Sequence, residues 1–135
     1  MSDARAFFDT NVLIYLLSAD SAKADRAETL IAAGGTVSLQ VLNEFVAVAT
    51  RKLGMRLPEI REILSATRAL CTVEPLTIAT HELALDLAER FDLSCYDALI
   101  VAAATAANCT VLYSEDMQDG QRIEGLTIRN PFAGG

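Results

Sequence analysis

The sequence has no tryptophan, a single histidine, three cysteines, three prolines and fewer basic than acidic residues. Each shortage removes a class of function. His81 has no second histidine to ligate with, so it reads as a helix-surface residue rather than a metal ligand or general base. Cys71, Cys95 and Cys109 are odd in number, scattered, and never in a C-x-x-C pair. That argues against a disulfide framework or a zinc site, and suits small buried apolar residues in a reducing compartment. Eleven Lys and Arg face eighteen Asp and Glu, a net charge of −7, which excludes passive charge-driven binding of nucleic acid. A phosphodiester substrate stays possible if divalent cations stand between acidic protein and acidic substrate. No apolar run reaches the length of a membrane span, and residues 1–5 lack the basic start and cleavage site of a leader. The expected location is cytoplasmic, without membrane association.

What is present is apolar. Of 135 residues, 52% are hydrophobic, enough for one domain with a real core and too few residues for a second. With no linker, repeat or low-complexity tract, residues 1–135 are read as a single domain. Short apolar runs at 6–8, 36–38, 71–74, 110–113 and 126–129 predict strands. Between them, helices are predicted over 12–17, 21–33, 39–52, 58–70, 77–91 and 94–107. Gly34-Gly35 stops one helix and Pro58 suits the first turn of another. Strands that alternate with helices and are continuously apolar indicate an α/β fold: a three-layer α/β/α domain around a mostly parallel sheet. Ligands in such folds bind beyond the carboxyl ends of the strands.

The acids in that apolar background carry the functional reading. Asp9 is the only charged residue between Arg5 and Asp20, and Asp97 the only one between Asp92 and Glu115. A lone carboxylate in buried elements costs several kcal/mol unless a cation or hydrogen bonds compensate. Asp9 follows the first strand, where it can cap the next helix or serve a site. Ser94-Cys95-Tyr96-Asp97 matches a capping box, yet the helix it opens is apolar on every side, so Asp97 faces a sheltered pocket or other protein. Glu44 borders the apolar face of its helix, and taken alone is an ordinary solvated residue. Asp116 lies in the loop after the strand at 110–113, at the ligand edge of the sheet, with Ser114 two residues before it. Asp119, followed by Gly120, is as easily a turn residue. Four clustered carboxylates repel unless protonated or metal-bound, and oxygen-only ligands select hard cations such as Mg²⁺ or Mn²⁺.

Four segments then resemble, in order, those of the PIN-domain ribonucleases, specifically the VapC-type toxins of VapBC toxin–antitoxin pairs. They are Phe7-Phe8-Asp9-Thr10-Asn11, Leu42-Asn43-Glu44-Phe45, Tyr96-Asp97-Ala98-Leu99 and Tyr113-Ser114-Glu115-Asp116. The resemblance spans nearly the whole chain. It implies RNA cleavage with Mg²⁺ or Mn²⁺, a metal held by Asp9, Asp97 and Asp116, and Glu44 holding a second metal or positioning water. Thr10, Asn11 and Ser114 support the acids, and Asp119 can share or replace the role of Asp116. It also implies a homodimer and a small VapB-type antitoxin seated in a groove near the acids, lined by residues 12–17 and 61–70. Arg51, Lys52 and Arg56, in the densest basic stretch, are candidates for gripping RNA, or else a solvated helix end.

Two readings share this fold: an RNA-processing nuclease without a toxin role, and a catalytically silent binding module. A third, a haloacid-dehalogenase-like phosphate hydrolase, wants a second Asp two positions after the first, where this chain has Asn11.

Overall fold

The computed structural model of the chain describes residues 5–133; residues 1–4, read above for a leader, and 134–135 lie outside them. The first strand, β1 (Ala6–Phe8), is wholly apolar, and Phe7 and Phe8 are both fully buried. Successive strand residues point to opposite faces, so both faces of the sheet at β1 are covered by protein. Helices α1 (Thr10–Tyr15) and α2 (Ser21–Ala32) follow, then β2 (Gly35–Ser38), α3 (Leu39–Arg51) and α4 (Leu57–Leu70). The chain continues through β3 (Cys71–Glu74), α5 (Ile78–Phe91), α6 (Cys95–Ala106) and β4 (Val111–Tyr113), and the described part closes with the hairpin β5 (Arg122–Ile123) and β6 (Leu126–Arg129).

The six strands lie in the order β3-β2-β1-β4-β6-β5, all parallel neighbours except the antiparallel β5–β6 pair. Helices α1 to α4 pack among themselves and α5 packs on α6, giving the three-layer α/β/α arrangement expected from the sequence. No helix among the described residues is long and apolar enough to cross a membrane.

The strand order locates the site. From β1 the chain steps outward through β2 to β3, then returns to add β4 on the other side of β1. Strand order therefore reverses between β1 and β4, and a crevice opens at such a switch point beyond the strands' carboxyl ends. Asp9 and the Ser114–Asp116 stretch are the residues that leave those two strands. Gly35 keeps β1 and β2 close: a Cβ there would lie 2.7 Å from the Phe8 ring and 2.8 Å from the Ala6 carbonyl oxygen.

Three details depart from expectation. Helix α1 starts two residues earlier than the apolar run indicates, because Asp9 caps it at Thr10, and it ends at Tyr15. Strand β5 was not anticipated; two residues are too short for any periodicity, and its pairing with β6 is made by the turn at Glu124 and Gly125, both at positive φ. Cys71 and Cys109 are buried as expected, but Cys95 is exposed on the first turn of α6.

Candidate functional site

Asp9 is 6% exposed. Its Oδ1 accepts a hydrogen bond from the Thr10 backbone N–H at 2.7 Å, and its Oδ2 accepts from the Ser114 hydroxyl at 2.8 Å. The capping and functional readings of Asp9 therefore coexist, one oxygen to each. The Asn11 amide nitrogen is 3.4 Å from the same Oδ2 and 3.3 Å from Asp116 Oδ2, so one side chain ties the first acid to the fourth. The Asn11 carbonyl oxygen in turn accepts from the Glu115 backbone N–H at 3.1 Å. Ser114 is fully buried and accepts from the backbone N–H groups of Asp116 and Met117 while donating to Asp9. The β4 loop is thereby folded around the Asp9 carboxylate.

Glu44 joins from α3. Its Oε1 accepts from the Thr10 hydroxyl at 2.6 Å, and its Oε2 lies 3.4 Å from the Gln40 amide nitrogen one turn earlier. Gln40 is buried, and its Oε1 has no partner among the described residues.

Burial is the largest influence on Asp9 and raises its pKa from 3.8 to about 6; the Ser114 and Thr10 hydrogen bonds pull it down, and the charges of Asp116 and Glu44 push it up. Among the described residues no cation is bonded to Asp9 in return.

Asp97 stands in the first turn of α6. Ser94 caps that helix by accepting from the Asp97 backbone N–H at 3.1 Å, but the Asp97 carboxylate makes no return bond to Ser94. Half of the capping box is thus unformed, and capping does not occupy this half-buried acid. The structure links Asp9, Glu44 and Asp116 through Thr10, Asn11 and Ser114, while among the described residues Asp97 has no hydrogen bond into that network. Among the described residues, no group of three or more His, Cys, Asp and Glu stands ready to hold a metal ion. Asp119 Oδ1 accepts from the Asn130 backbone N–H at 2.9 Å, a bond that fastens the hairpin, and it also has no bond to the network.

A cavity of about 730 Å³ opens beside the network, lined by Thr10, Asn11, Glu44 and Asp116, by Gln40, and by Arg51 and Lys52 at the end of α3, while Asp9, Asp97 and Asp119 do not line it. Arg56, the N-cap of α4, does not line it. Tyr15 and Glu115 are among the lining residues that escaped the sequence reading. The Tyr15 hydroxyl donates to Glu115 at 2.8 Å, and that bond is the largest influence raising the Tyr15 phenol pKa. The pair is separated by a hundred positions, and neither residue stands out locally: Tyr15 ends an apolar helix and Glu115 lies in an acidic loop.

The donors are not gathered around one point among the described residues, but their chemistry suits a hard divalent cation on two counts. Among the described residues the buried Asp9 carboxylate lies near the charges of Asp116 and Glu44 with no positive partner, and the oxygen of Gln40, the residue bonded to Glu44, is buried without a donor.

Comparison with known proteins gives three findings. The family profile of the PIN domain matches residues 6–121. No curated protein sequence matches the chain significantly. Among solved structures, the chain is similar to a toxin–antitoxin complex from Klebsiella pneumoniae, with 24% identity, 94% of this chain and 98% of that chain covered, and a TM-score of 0.71. It is also similar to VapC20 of Mycobacterium tuberculosis, described as a sarcin–ricin loop cleaving toxin (24% identity, 82% and 89% covered, TM-score 0.63). VapBC2 from Rickettsia felis, bound to a DNA fragment from its promoter, is similar at 19% identity, with 93% and 97% covered and a TM-score of 0.66. At these identities the likeness to solved structures is one of fold.

Proposed function

Because the chain belongs to the PIN-domain family, we propose that it is a metal-dependent endoribonuclease, the VapC-type toxin of a toxin–antitoxin pair. The observation that carries this reading is the hydrogen-bonded group of Asp9, Glu44 and Asp116 at the sheet's switch point, beside a cavity with a basic rim. An Mg²⁺ or Mn²⁺ ion held by Asp9 and Asp116, with Asp97 completing the set, would supply Lewis-acid activation of water and phosphate.

The chain's own residues do the rest. Ser114 and the Thr10 N–H hold the Asp9 carboxylate in one orientation and favour its ionised form. Asn11 fixes the spacing between Asp9 and Asp116. Thr10 and Gln40 engage the two oxygens of Glu44, which orients it to accept a proton from water above the cluster. Arg51 and Lys52 attract the RNA backbone along the cavity rim, which offsets part of the repulsion expected from a net charge of −7.

A small antitoxin is the proposed partner. A second cavity, about 280 Å³, runs between the end of α1, α2 and the end of α4, lined by Leu16, Leu17, Ile31, Ile63, Ala66 and Leu70. Its apolar lining suits the nonpolar face of an antitoxin segment, as the family resemblance implies. A homodimer in the cytoplasm completes the proposal.

The test is cleavage of RNA by the purified chain with Mg²⁺ or Mn²⁺, with EDTA, and with Asp9→Asn and Asp97→Asn. Cleavage that survives EDTA, or full activity in both variants, refutes the mechanism. Induction in a bacterial host should arrest growth, and co-expression of the protein encoded immediately upstream should relieve the arrest. RNA cleavage without a growth effect would instead identify a processing nuclease.

A further inference from the structure

Tyr96 is exposed where the rest of the aromatic set is not. Of five Phe and three Tyr in the chain, Phe7, Phe8 and Phe45 are buried, and Tyr15, Phe91, Tyr113 and Phe132 are half-buried against the core. Tyr96 is 69% exposed. Its hydroxyl makes no hydrogen bond among the described residues, and the ring is not part of the packed core. The fold therefore makes no use of this side chain.

Its position is specific. Tyr96 lines the same cavity as Glu44 and Asp116, one residue before Asp97 and on the first turn of α6. Arg51 and Lys52 line that cavity too, and neither has an ion-pair partner among the described residues. One opening thus presents carboxylates, two free cations and an unpacked aromatic face. A nucleotide carries the complementary parts: a phosphate for the cations and a flat π-face for the ring. A base inside a duplex is stacked on both sides and cannot offer that face, so the ring selects unpaired residues.

We propose that Tyr96 is a base-stacking platform that positions an unpaired nucleotide of the RNA beside the carboxylate cluster. This deepens the nuclease reading and rests on it for the identity of the substrate. A competing occupant of an exposed aromatic is another protein chain. That surface would have to cover three acids and two cations as well as the ring, whereas a nucleotide meets the cations and the ring at once.

The experiment compares the parent chain with Tyr96→Phe, Tyr96→Leu and Tyr96→Ala. Tyr96 lies outside the core, and circular dichroism confirms that each variant is folded. With Mg²⁺ and a single-stranded RNA, the Leu and Ala variants should lose about fivefold to a hundredfold in kcat/KM, mostly through KM, while Phe matches the parent. A 2-aminopurine-substituted single-stranded RNA, titrated with Ca²⁺ in place of Mg²⁺ and shown on a gel to stay uncut, should be quenched by the parent and Phe proteins but not by Leu. Equal behaviour of Leu and Phe in both assays overturns the proposal. So does a change in sedimentation mass in Leu and Ala with unaltered quenching, which would make Tyr96 a protein contact. If the parent cleaves no RNA, the nuclease reading fails, and the quenching arm still decides whether the ring stacks on bases.

Discussion

Replacing Asp9 with Asn should abolish cleavage and, in the metal-stripped protein, raise stability. Asp9 is buried, and its pKa stands at about 6 against an ordinary 3.8. A carboxyl whose pKa is raised on folding stabilises the fold below its unfolded value. It loses that contribution as pH climbs through its folded value, because the native state then gives up a proton it held more tightly than the unfolded chain. The window is therefore pH 4 to 6, and the interval corresponds to roughly 3 kcal/mol at about 1.36 kcal/mol per pKa unit. Asn never ionises, so it escapes that loss. It also turns an amide N–H₂ toward the Ser114 oxygen, which already accepts from Asp116 and Met117, and this recovers less than the original bond. The net gain above pH 7 should be about 1–2 kcal/mol, or roughly 4–8 °C in Tm for a domain of this size. Near pH 4 the sign should reverse, with Asn about 1 kcal/mol the less stable, because the Ser114 bond it weakens is no longer offset by an ionised Asp9. The assay is thermal unfolding of both proteins in EDTA across pH 4 to 8, read as the difference between them so that all other groups cancel. A difference that stays flat with pH would refute the argument that burial raises the Asp9 carboxyl.

Three further outcomes follow from the same geometry. Ser114→Ala removes the hydroxyl bond that favours ionised Asp9, so the acidic limb of the kcat/KM profile should move up by about one pH unit; an unmoved limb would show that the bond does not tune Asp9. Gly35→Ala forces a methyl against the Phe8 ring and the Ala6 carbonyl, and should lower stability by about 1–3 kcal/mol, measured as a fall in the urea midpoint. Arg51→Ala combined with Lys52→Ala should raise KM for RNA and flatten its log–log dependence on salt by about 1 to 2, with kcat little changed; an unchanged salt slope would mean that neither cation meets a phosphate.

How much of this was legible beforehand differs from residue to residue. Asp9 and Asp97 declared themselves as isolated charges in apolar sequence, a signal that burial physics alone makes readable. The parallel sheet followed from strands too apolar to have a wet face. Glu44 and Asp116 had ordinary local readings, and what connects them to Asp9 is contact across long sequence separations: Thr10 to Glu44, and Asn11 to Asp116. Pattern analysis sees neighbours along the chain, so it missed the Tyr15–Glu115 pair for the same reason. Cys95 misled because its residue type predicts burial, while the first turn of α6 turns it outward. Strand β5 was missed because a two-residue strand has no period; it exists through its partner.

The strand order has a consequence for synthesis. β1 is made first but lies in the middle of the sheet, and one of its two neighbours, β4, is made about a hundred residues later. Until that stretch leaves the ribosome, β1 has an unpaired flank, Asp9 lacks the Ser114 hydroxyl, and Asn11 has no Asp116 to hold. The acids become a site only when the last of them arrives. For most of its synthesis the growing chain therefore carries Asp9 and Asn11 without the partners that fix them.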